Sequence, residues 1–148
     1  MTPTVKKTIL YAVLGLVAVG AGVGYYFYNK GPRDVKNANG KKVMATALYE
    51  TFSKDSVAAQ KNYTDKILET SGIVTKVSQN QQNQAIVMLK TNEDGASINC
   101  TMEGPANTIK EKDTVILKGI CSGIGQGDAD LGIKADVYLT RCYLIKQN

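Results

Sequence analysis

With 148 residues and an ordinary apolar share, the chain has room for one small folded domain plus a hydrophobic tail, not for two domains. It contains no histidine and no tryptophan, which excludes nucleophiles paired with histidine and removes the commonest transition-metal ligand. The net charge of +5 is concentrated before residue 40, where Lys6, Lys7, Lys30, Arg33 and Lys36 face Asp34 alone. The remainder is close to neutral, which argues against nucleic acid as the partner, since phosphate binding needs cations on the domain itself.

Residues 1–8 form an N-terminal tail. Residues 9–27, "ILYAVLGLVAVGAGVGYYF", run without a charge, and as a helix would span roughly 28 Å, about the hydrocarbon thickness of a bilayer. A transmembrane helix over 9–28 is therefore expected. Lys6 and Lys7 before it, and Tyr25, Tyr26, Tyr28 and Lys30 after it, are the residue types of a membrane interface. The competing reading is a cleaved signal peptide, but that needs a small-residue cleavage site where this chain has bulky rings. Gly20 and Gly24 stand in the G-x-x-x-G spacing that lets two membrane helices pack closely, so a homodimer through them is one expectation. A short N-terminal tail retained in the cytosol would place the following domain outside.

Residues 29–41 are polar, hold Gly and Pro, lack periodicity and read as a linker. From residue 42 to 52 the apolar positions Ala45, Leu48, Tyr49 and Phe52 follow the helical i, i+3, i+4, i+7 spacing. Asp55 or Ser56 then offers a side-chain oxygen to start a second short helix, "VAAQKNY". Beyond it the period changes to two. Strands are predicted at 66–78, with Gly72 marking a bulge or sharp coil, and at 85–90, 98–102, 113–121 and 135–146. Asp94-Gly95 signals a hairpin turn, and Pro105 opens a predicted short helix over "GPANTIKEK". Mainly β with N-terminal helices, and five strands with a helix between the third and fourth, is the arrangement of an OB-fold barrel over residues 42–148. A five-stranded open sandwich is the runner-up.

The stretches "YNKGPRDV", "AAQKNYTDKILETSGIVTKV", "INCTME", "TVILKGICSG" and "VYLTRCYLI" resemble the bacterial tRNA-anticodon-like OB-fold family in its membrane-anchored form. The resemblance covers residues 25–148 and departs from the family mainly in a longer, glycine-rich connection before the last strand. It implies the OB fold and a ligand-binding role; with the apolar helix and a tail kept in the cytosol, the expected location is a bacterial inner membrane with the domain in the periplasm. The resemblance implies no reaction.

That connection, "GICSGIGQGDADLG", is first a corner between strands. A phosphate loop would need a lysine after its glycines and a helix behind it. Asp128 and Asp130 mimic two ligands of a calcium loop, but Leu139 stands at the twelfth position where a glutamate should close it. The corner doubles as the lip of a binding rim made of Lys118, Gly123, Gly125, Gly127, Lys134, Tyr138 and Arg141, because barrel rims are where OB domains hold ligands. Cys100, Cys121 and Cys142 have no C-x-x-C spacing and no histidine to join them, so neither metal nor cofactor is expected; one disulfide or buried free thiols are the two alternatives. Single-strand binders stack bases on aromatic side chains across the second and third strands, and residues 84–103 contain none. The function expected is a membrane-anchored, non-enzymatic binding module for a protein or an envelope glycan, with single-stranded nucleic acid as the alternative.

Overall fold

One long strand organises the folded unit. In the computed structural model, which describes residues 3–29, 31 and 33–148, β2 runs over Ile67–Gln79 and belongs to both halves of a barrel. Its residues 67–73 pair antiparallel with β5 (Thr114–Ile124), and its residues 74–79 pair antiparallel with β3 (Ala85–Lys90). The partner changes across a register shift between Val74 and Lys76, just past the predicted bend at Gly72. A Cβ on Gly72 would lie 2.9 Å from Ala45 Cβ and 3.2 Å from Leu89 Cβ, so only a glycine admits the helix that packs there.

The ring continues from β3 to β4 (Ser97–Met102), then in parallel to β6 (Val137–Gln147), and antiparallel from β6 to β5. The β2–β5 pairing closes it. Five strands in a closed barrel, with one parallel pair, are the OB arrangement the periodicity predicts. Alternate residues point inward: Leu68, Val74, Val87, Leu89, Ile98, Cys100, Leu117 and Leu139 are fully buried. Helix α2 (Ala45–Lys54) adds Leu48, Tyr49 and Phe52 to this core, as its apolar spacing predicts. Each such side chain contributes about 2 kcal/mol through the apolar surface it removes from water.

Helix α3 (Ser56–Tyr63) begins where the sequence places a cap: the Asp55 side chain accepts the Ala58 backbone N–H at 3.0 Å. Replacing Asp55 with alanine removes that bond and is expected to cost about 1 kcal/mol, read as a lower urea midpoint with an unchanged slope.

Three local expectations are corrected. Residues 42–44, read as the start of a helix, belong to a sixth strand, β1 (Lys41–Met44), parallel to residues 68–71 of β2. The free edge of β2 supplies ladder partners that no local pattern announces, and α2 starts at an extended Met44 without a side-chain cap. The folded unit comprises Asp34–Asn148, so it starts inside the segment that composition marks as linker; Val35 is buried. The helix predicted after Pro105 is a pair of turns instead. Ile109 N–H bonds Ala106 O, the Asp113 carboxylate accepts the Lys110 N–H, and Gln147 from β6 donates to Thr108 O. Those tertiary partners satisfy the backbone that a one-turn helix would have had to satisfy alone.

The other unit, residues 1–33, is dominated by helix α1 (Pro3–Asn29). Its Thr4–Asn29 portion is long and apolar enough to cross a membrane. Lys6, Lys7, Tyr25, Tyr26 and Tyr28 lie exposed on it, and nothing stands within 4 Å of where a Cβ on Gly20 or Gly24 would be. Lys30, the remaining predicted interface residue, lies outside the described residues.

Candidate functional site

The glycine-rich connection between β5 and β6 folds as a pinned loop. Asp128 and Ile133 exchange backbone hydrogen bonds of 2.8 Å in both directions, and Gly125 N–H bonds Asp136 O at 2.8 Å. One oxygen of the Asp128 carboxylate accepts the N–H groups of Asp130 and Leu131, at 3.0 and 3.1 Å. This carboxylate therefore closes a turn. Gly132, with φ +66°, takes the left-handed conformation the turn requires. The loop ends against β4, where the Asp136 carboxylate accepts both N–H and O–H of Ser97.

Five predicted rim residues come together here. Gly123 pairs with Tyr138 across β5 and β6, and a Cβ on Gly125 would lie 2.7 Å from the Tyr138 ring. Gly127 is backed by Ile133 O and Ala135 N. Lys134 pairs with Glu93 of the β3–β4 loop, which holds its ammonium pKa above the ordinary value. Beside the predicted Tyr138, which is 41% exposed, Leu131 and Ile133 are 72 and 55% exposed and give the rim an apolar tip that the glycine and charge pattern does not announce.

Lys118 and Arg141 do not join that rim. Lys118 is buried: its ammonium lies 3.2 Å from the Glu69 carboxylate and donates to the carbonyls of Lys36 and Ala38. It fastens the segment leading into β1 onto the barrel. Arg141 occupies a bulge with φ +55° and pairs with Glu103 beyond the opposite end of β4. That hydrogen-bonded pair holds the Glu103 carboxyl below its ordinary range.

All three cysteines are free and fully buried. Cys121, Leu139 and Cys100 form one row across β5, β6 and β4. The neighbouring Cys100 thiol and burial push the Cys142 thiol well above its ordinary pKa, and burial raises Cys121. All three are side chains of the core.

The outer face of β1, β2, β5 and β6 carries a second feature that sequence reasoning missed. A largely apolar trough of about 680 Å³ is lined by Met44, Ile116 and Ile145, with Ser71, Lys42 and Lys146 also on its wall. A period-two pattern over residues 41–44 aligns Lys42 and Met44 on one face, but the helical spacing that begins at Ala45 hides so short a run.

The tRNA_anti-like family model matches residues 1–131. The match includes α1 and ends inside the glycine loop, before β6. No curated protein matches the chain's sequence. Among solved structures the chain is similar to OBody AM3L09 bound to hen egg-white lysozyme, at 17% identity and TM-score 0.39, over 57% of this chain and 86% of that one. It is similar to OBody NL8 bound to hen egg-white lysozyme, at 16% identity and TM-score 0.38, over 56% and 98%. A protein described as an aspartyl-tRNA synthetase from Leishmania major Friedlin is similar at 8% identity and TM-score 0.45, over 87% of this chain but only 26% of that protein's length. With its closed five-stranded barrel and a family match over most of its length, the chain belongs to the tRNA_anti-like family.

Proposed function

We propose that the chain is a membrane-anchored binding module without catalysis, its α1 an uncleaved single-pass anchor in a bacterial inner membrane and its barrel on the periplasmic side. The ligand is a partner protein held at the glycine loop; an envelope glycan is the other class such a rim would serve. The observation that supports the protein reading is the exposure of Leu131 and Ile133 on a loop whose backbone is already pinned. Apolar side chains held out in water by an ordered loop lose little conformational freedom on binding, which is how an interface anchor is built. Single-stranded nucleic acid draws no comparable support, since β3 and β4 carry no aromatic side chain.

The test uses the full-length protein in its native membranes, with a photocrosslinking residue at position 131 and a control at exposed position 76 on the barrel. Position 131 should give a discrete higher-mass adduct. Leu131→Asp with Ile133→Asp, probed from position 130, should reduce that adduct about thirtyfold, the size expected for losing a two-residue anchor. Equal adducts at 131 and 76, or adducts indifferent to the aspartates, would defeat the protein reading.

A further inference from the structure

The trough on the outer sheet face is independent of the glycine loop, and the strand register explains how it arises. Met44, Ser71, Ile116 and Lys146 form one row across β1, β2, β5 and β6; Lys42, Glu69, Lys118 and Tyr143 form the parallel row two residues away. The second row is partly roofed, because Lys118 holds the carbonyls of Lys36 and Ala38 over it and Val35 is buried close by. The first row has no such cover among the described residues. Met44 is 61% and Ile145 45% exposed.

Charge selects what can lie there. Lys42 and Lys146 are exposed and have no ion-pair partner among the described residues. The single acid lining the trough, Glu69, is committed to Lys118. The face therefore offers an apolar strip between two unneutralised cations, one on β1 and one on β6. Their places on the outer strands of this four-stranded face, one in each row, suit an extended anionic surface with many phosphates better than one compact anion. Apolar groups flanked by lysines, with Ser71 the one uncharged polar side chain lining the strip, are the chemistry of interfacial membrane binding. Chain connectivity agrees: only residues 30–33 separate α1 from the folded unit, and the chain joins that unit through the segment fastened on this same face.

We propose that the outer face of β1, β2, β5 and β6 docks on the surface of an anionic bilayer, with Met44 and Ile145 entering the boundary between headgroups and acyl chains and Lys42 and Lys146 meeting lipid phosphates on either side. This rests on the reading of α1 as a membrane anchor. Docking would fix the barrel's orientation and leave the glycine loop free for its partner. Because each lysine near an anionic surface contributes about 1 kcal/mol, removing both charges shifts the docking equilibrium about thirtyfold.

The test reconstitutes the full-length protein in vesicles of phosphatidylcholine alone and of phosphatidylcholine with phosphatidylglycerol, and follows hydrogen exchange of peptides covering 41–47 and 143–147. Both peptides should exchange more slowly in the anionic vesicles, and high salt or Lys42→Gln with Lys146→Gln should abolish the difference. The peptide covering 125–136 should be unaffected and so reports that the variant is folded. Exchange that is the same in both lipids overturns the proposal, as does protection that appears only when envelope proteins are added, which would make the occupant a protein. Retention of the chain after carbonate extraction is scored separately. Its loss would sink the anchor, whereas retention with lipid-independent exchange would sink the docking face alone.

Discussion

Gly119→Ala is expected to destabilise the folded unit by about 3 kcal/mol, measured as a lower urea midpoint in mild detergent. Gly119 lies in β5 opposite an irregularity of β6, where Lys118 pairs with Tyr143 but Ile120 already pairs with Thr140. One extra residue in β6 fills that interval, and Arg141 takes φ +55° to accommodate it. The bulge drops the Cys142 side chain onto Gly119. A Cβ added there would overlap the Cys142 Sγ and lie 3.0 Å from Thr140 O, which is backbone in the ladder and cannot retreat. The clash has a specific signature. Cys142→Ala removes the sulfur, so the double variant should be less destabilised than the sum of the singles by at least about 1 kcal/mol. Strict additivity would show that the two positions do not meet.

Lys118→Met is expected to cost a similar amount, about 3 kcal/mol, at the low end of the range for breaking a buried ion pair because both partners keep some contact with water. The side chains of Lys118 and Glu69 are 10 and 17% exposed, and the substitution leaves the Glu69 carboxylate and the carbonyls of Lys36 and Ala38 without their donor. The damage should be directional: hydrogen exchange should rise across 34–44 before it rises in β3 or β4. Lys118→Met with Glu69→Gln should recover part of the loss, since no charge is then stranded. Unchanged stability together with unchanged protection of 34–44 would return Lys118 to the binding rim where its charge first placed it. Stability lost together with faster exchange across 34–44 is the result the geometry requires.

Residues 42–44 and 141–142 show where local pattern stops being informative. Val137 and Leu139 point inward, and strict alternation would send Arg141 into the core and Cys142 out; the bulge reverses them. Alternation assumes an unbroken pleat, and nothing in "LTRCY" marks the break. Likewise β1 exists because residues 68–71 of β2 offer a second edge, a fact about another part of the chain.

What depends on neighbours in the chain is legible in the residue order alone. The uncharged run of α1, the apolar stripe of α2, the Asp55 cap and the period-two strands each follow from side chains a few positions apart, and together they specify an OB barrel behind an apolar helix. The glycine-rich corner was legible for the same reason, since turn chemistry is local. Which charges remain available for binding emerges only once the barrel has closed. Lys118, Lys134 and Arg141 look alike as cations in a strand-rich sequence, yet each meets a carboxylate from a distant segment, while Lys42 and Lys146 meet none among the described residues. Ion pairing across strands depends on which elements the closed barrel brings side by side, and that is fixed by long-range pairing that no window of sequence contains.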